Sequence, residues 1–139
     1  YIEEEMGHQE WILNDISAMG GDSEGIRHGD PSIATELMVS YAWDTIRRIN
    51  PVGFFGMVLV LEGTSVQLAT QSAEAIQNST GLPDEAFSYL TSHGSLDIKH
   101  VSFYEELMNR LENIEDQRAV IHCAKVMYKL YGDIFRGIQ

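Results

Sequence analysis

The chain has 139 residues, 44% of them hydrophobic, and a formal charge of -12. That is enough apolar material for one domain with a real core and too much for a disordered chain. The acidic balance argues against nucleic acid and an anionic membrane as main partners, since both demand a basic face, and no apolar run approaches the length of a membrane span.

Hydrophobic periodicity predicts helices throughout and no strand. The first helix runs from about Ile2 to Met19, and Gly20-Gly21 ends it. No cap precedes Glu3, so the pattern opens as if already inside a helix. On that reading, residues 1–139 form a single helical domain that is the C-terminal part of a longer one, with earlier helices cut away, disordered or supplied by another chain. Asp22 to Asp30 reads as a loop, with Gly25 and Gly29 as breakers. Asp30 is the expected N-cap of a second helix that opens on Pro31 and runs to about Ile49, where Asn50-Pro51 breaks the chain. A third helix spans about Val52 to Asn78. Its first part, Phe54 to Leu61, is apolar nearly all round and so predicts the central buried helix. Pro83 opens a short helix to about Leu90, and Thr91 to Gly94 reads as a junction. A fifth helix follows to about Leu111, and a sixth runs from about Asn113 to Phe135. Cys123, the lone cysteine, lies among apolar residues of that last helix. It leaves no internal disulfide, suits a reducing cytoplasm and reads as a buried structural thiol. The expected fold class is all-α, with about six helices.

The chemistry-bearing pattern is a carboxylate and an imidazole three residues apart, present twice: Glu5-x-x-His8 and Asp97-x-x-His100. Such a spacing sets both side chains on one face of a helix. The second copy is extended upstream to His93-x-x-x-Asp97-x-x-His100, whose flanking Leu96, Val101, Phe103, Tyr104 and Leu107 predict an inward face. Glu62 closes the apolar run Gly56 to Leu61, where a carboxylate is costly to bury without a partner. The bland readings are an acidic solvated stripe for Glu5 and His8, a solvent-facing or arginine-paired Glu62 (Arg47 or Arg48), and a buried hydrogen-bond network for the third set. Taken together, six ligand-type residues on three helices favour a metal site of the kind helical bundles build for two iron or manganese ions. Imidazole and carboxylate donors suit iron, manganese or zinc. Three carboxylates against two divalent ions leave about one net positive charge by formal counting, which favours an anionic ligand. His28, in the loop, and His122, beside Cys123, have no such company.

At these residues the sequence resembles the heme-oxygenase-like diiron oxidases, the iron-containing redox enzymes. The stretches that carry the resemblance are Glu4-Glu-Met-Gly-His8-Gln-Glu-Trp11, Leu61-Glu62-Gly63-Thr-Ser65 and Ser92-His93-Gly-Ser-Leu-Asp97-Ile-Lys-His100. The resemblance covers nearly the whole chain, and the His-x-x-x-Asp-x-x-His element is its most specific part. It implies a heme-oxygenase-like bundle, the fold shared with TenA-type thiaminases and the PqqC cofactor oxidase, here without its first helices. It also implies six metal ligands: Glu5, His8, Glu62, His93, Asp97 and His100. The implied cofactor is two ferrous ions, with manganese as the other ion admitted. The implied activity is oxidation of a small molecule such as an amino acid or fatty acid by O2, through N-oxygenation, desaturation, decarboxylation or C–C cleavage. A cytoplasmic homodimer without nucleic-acid or membrane partners is the expected setting. The alternatives are a metal-free helical binding module on the same fold and a mononuclear iron enzyme using His8, Glu62 and His93. Tyr41, Trp43, Phe54, Phe55 and Met57 are candidate core or pocket residues, and Asp97, near a helix junction, is the candidate for an adaptable ligand.

Overall fold

The computed structural model describes the backbone of residues 2–138 and the side chains within it, apart from those of residues 2, 4 and 94–99. The fold is all-α, and no strand occurs among the described residues. The helices are α1 (Ile2–Glu5), α2 (His8–Ala18), α3 (Ser23–His28), α4 (Ile33–Asp44), α5 (Phe55–Thr80), α6 (Ser88–Asn109) and α7 (Ile114–Arg136). A π turn, Thr45–Ile49, extends α4, and 3-10 turns at Pro51–Phe54 and Asp84–Phe87 lead into α5 and α6. They gather into two compact units: Tyr1–Asp30 with Thr64–His100, and Pro31–Gly63 with Val101–Gln139.

The first unit differs from the sequence expectation in three places. The predicted first helix is interrupted at Met6-Gly7, where Gly7 adopts a left-handed φ of 95°. Only glycine enters that region without steric cost, so the Glu5-x-x-His8 motif straddles a helix break instead of lying along one turn. The stretch read as a loop holds α3, capped by Asp22, whose carboxylate accepts from the Gly25 N–H at 2.9 Å. Arg27 ties α3 to α2 by gripping both oxygens of Glu10 at 2.6 and 2.7 Å, and this guanidinium holds the Glu10 carboxyl below the usual range. The third difference is that α6 runs unbroken from Ser88, so Thr91 to Gly94 is no junction but part of one helix. Ala73, Ala86 and Phe87 form the buried cluster of this unit, with Leu82 and Leu90 packed against it.

The second unit is built on α7, whose Val120, Cys123, Ala124 and Met127 are buried. Their i, i+3, i+4, i+7 spacing makes one apolar stripe. Met38 and Ala42 of α4 and Val60 of α5 complete the core, with Tyr41, Phe54, Met57, Leu61 and Tyr131 around it. Gly56 lets α5 meet α7 at backbone distance: a Cβ built there would stand 2.5 Å from Ala124 N and from Val120 O. The cap of α4 is Ser32, which accepts from the Thr35 N–H, rather than Asp30. Asn113 caps α7 by accepting from Glu115 N–H at 2.9 Å, where the sequence places the helix start. Asn50 breaks the chain as expected: its Oδ1 accepts from Val52 N–H at 3.0 Å, and its amide donates to Asp116 at 2.7 Å. Of the candidate core or pocket aromatics, Trp43 is instead 53% exposed, its ring face covered by the Arg47 guanidinium at 4.8 Å. Phe103 is likewise exposed, at 55%.

Residues 51–80 form a helical run long and apolar enough, by length and composition, to cross a membrane. The sequence reading stopped this run at Glu62-Gly63. Val66, Leu68 and Ala69 just beyond extend it. Val60, Ala69 and Ala73 within it are buried inside the protein.

Candidate metal centre

Within the first unit, Glu5, His8 and His93 each present one donor atom, and these atoms lie within 4.8 Å of one another. Glu5 ends α1, and His8 opens α2 beyond the left-handed turn at Gly7. His93 lies in the second turn of α6 and is 8% exposed. Glu5 Oε2 lies 3.0 Å from His8 Nδ1, and His93 Nε2 lies 3.2 Å from the same nitrogen. His93 Nδ1 faces the Tyr89 carbonyl oxygen at 2.8 Å. A carbonyl only accepts, so Nδ1 carries the proton, and Nε2 of the neutral ring offers a lone pair.

This arrangement is short of protons. His8 Nδ1 can donate one hydrogen, to either Glu5 or His93, and no more. The other acceptor is then left without a donor from that nitrogen. A cation placed among the three atoms would engage all of them, with the His8 proton moved to its Nε2. The carboxylate shows a second deficit: Glu5 Oε1 is shielded from water and has no hydrogen-bond donor among the described residues. Its neighbour is His100 Nδ1 at 3.4 Å, and His100 is 8% exposed. An orphaned buried oxygen is costly, and the two oxygens of Glu5 thus turn to different imidazoles. The donor set fits a metal.

Aromatic rings wall the imidazoles. Trp11 stacks on His8 with centroids 4.3 Å apart, Tyr89 lies 4.1 Å from His93, and His8 and His93 meet edge to face at 4.8 Å. Of the six residues read from the sequence, the first unit brings together Glu5, His8, His93 and His100. Glu62 is half-buried on α5 in the second unit's share of that helix, two residues before Thr64. Of its suggested arginine partners, Arg48 grips Asp44 at 2.6 and 2.7 Å and Arg47 covers Trp43. The Asp97 side chain lies outside the described residues, so its assignment as an adaptable ligand does too. His28 is exposed beside Glu24 at 3.7 Å, and His122 is exposed as well.

The sequence reading missed Gly7, Trp11 and Tyr89 as parts of this site. Trp11 was legible, three residues after His8 and so on its face of the helix. Gly7 gave no signal beyond being a glycine.

Residues 1–132 match a family described as iron-containing redox enzyme. No curated protein and no solved structure matches the chain.

Proposed function

The chain belongs to the family of iron-containing redox enzymes, and on that footing we propose that it is a non-heme diiron oxidase using O2 to oxidise a small molecule. The observation that carries this reading is Glu5, a partly exposed carboxylate whose Oε2 faces His8 and whose shielded Oε1 faces His100 without a donor. The proposed ligands are Glu5, His8, Glu62, His93, Asp97 and His100, with Glu5 shared between two ions. Iron supplies the O2 and electron-transfer chemistry that side chains lack.

The protein's own part is to hold and orient. The Tyr89 carbonyl fixes the tautomer and rotation of His93, a common way of aiming a ligating imidazole. Trp11 and Tyr89 cover the imidazole rings and keep water from them. Three carboxylates leave about one formal positive charge on two divalent ions, which suits a substrate carrying a carboxylate, such as an amino acid or a fatty acid.

Anaerobic titration of the full-length protein with ferrous iron tests the reading. About two irons per chain, followed by a transient absorption change on mixing with O2, is the expected result. One iron per chain would point to a mononuclear enzyme, and none, with the fold intact, to a metal-free binding module.

A further inference from the structure

We propose that Asp15 is a positioning residue for the metal centre, locking the helix that carries His8 to the start of the helix that carries His93 and His100. This rests on the metal reading above. Asp15 is 6% exposed, and a carboxyl side chain is rarely buried so far unless it is paired. Its Oδ1 accepts from the Ser88 hydroxyl at 2.5 Å, and its Oδ2 accepts from the Tyr89 N–H at 2.9 Å. Ser88 and Tyr89 are the first two residues of α6. Asp15 therefore acts as a cap delivered from another helix: it engages a donor in the first turn of α6.

The residue it grips is the one that aims the imidazole. Tyr89 is held by Asp15 through its N–H and holds His93 through its carbonyl, at 2.8 Å. His93 Nε2 in turn reaches His8 Nδ1 at 3.2 Å. His8 and Asp15 lie seven residues apart on α2, so they share a face. One face of α2 thus contributes both a ligand and the clamp that registers the opposing ligand helix. The register matters because a slip of one residue moves a helical side chain by about 1.5 Å along the axis and about 100° around it. Either displacement would turn His93 Nε2 away from His8.

A purely structural cap would change stability and leave the ligand geometry of the folded protein alone. The test therefore reads Co(II) binding to the full-length protein, by titration and by the visible absorption spectrum of the bound ion, beside thermal melts of the metal-free forms. Loss of an outer partner of a ligating histidine weakens metal binding by about 10- to 100-fold, and that is expected of Asp15→Ala, with an altered Co(II) spectrum. Asp15→Asn keeps an acceptor for the Tyr89 N–H and is expected to bind within about threefold of wild type, well short of that loss. A folded Asp15→Ala with wild-type affinity and spectrum overturns the proposal. So does an Asp15→Asn variant as weak as Asp15→Ala, since charge rather than the hydrogen-bonded clamp would then be responsible. If Asp15→Ala does not fold, Asp15→Glu decides. It keeps the charge and acceptors but displaces α6 by a methylene, so a folded variant with weakened Co(II) binding supports the clamp, and one with wild-type binding overturns it. The wild-type titration separates the two claims: no Co(II) uptake by wild type removes the metal site itself, whereas uptake insensitive to residue 15 removes only the role of Asp15.

Discussion

At the scale of single residues, the site trades stability for binding. Glu5 keeps a shielded oxygen without a donor, a state that a metal relieves and a metal-free protein must tolerate. Glu5→Gln preserves shape and removes the charge. The metal-free variant is expected to melt no lower than wild type, with a gain of up to about 1 kcal/mol from the relieved desolvation, while bound iron per chain falls sharply. Calorimetry beside iron analysis checks both halves, and a lower melting temperature with intact iron content contradicts the assignment. Gly7 makes the complementary point. Nothing lies within 4 Å of a Cβ built there, so Gly7→Ala suffers no clash and its cost is that of the left-handed backbone alone, about 1–2 kcal/mol. If the variant escapes that cost by joining α1 to α2 in one helix, Glu5 rotates relative to His8 and metal affinity drops. Gly7→Asn tolerates the left-handed region better and should recover part of both losses, measured by thermal melts and Co(II) titration.

Elements were legible where local rules decide and illegible where packing decides. The C-terminal end of α2 and the start of α7 follow from Gly20-Gly21 and Asn113, because caps act within one turn. The inward placement of His93 and His100 on α6 followed from their spacing, and both are buried. The continuity of α6 through Gly94 did not, since glycine disfavours a helix only by about 1 kcal/mol and Asp15, which caps the helix, lies 73 and 74 positions from Ser88 and Tyr89, the two residues it engages. The break at Gly7 was hidden for the converse reason: the surrounding glutamates are good helix formers, and the turn is set by the chain on either side. Gly56 illustrates a packing demand with no sequence signature. A methyl there would meet the backbone of α7 at 2.5 Å, and neither helix backbone can yield locally. Gly56→Ala is expected to force α5 and α7 apart and to cost about 1–3 kcal/mol, read as a lower melting temperature. An unchanged melting point would mean that the two helices are not held at that separation in solution.

For the whole molecule, the charge of -12 and the second unit's core act together as pH rises. Burial pushes the Cys123 thiol up, and burial likewise raises the phenols of Tyr41, Tyr104 and Tyr131. Each of these groups is neutral when protonated, so the folded state favours the proton more than the unfolded state does. Between the unfolded and the folded pKa, the unfolded chain binds fewer protons, and stability falls as pH increases. The contribution is complete below the unfolded values, about 8.5 for a thiol and about 10 for a phenol, and is lost above them. Deprotonation also adds negative charge to a chain already acidic, and self-repulsion opposes the compact state in the same direction. The melting temperature of the metal-free protein should therefore be flat from neutral pH to about 8.5 and then decline. Two controls separate the causes. Added salt screens the repulsion over about 10 Å at 0.1 M and should recover only part of the decline, because it does little for groups inside the core. Cys123→Ala removes the earliest of the titrating groups and should move the onset of the decline toward the phenol range, at the expense of a small cavity beside Met127 and Val60. A decline that salt abolishes entirely, or an onset unmoved in Cys123→Ala, would assign alkaline instability to surface charge and not to the buried thiol and half-buried phenols.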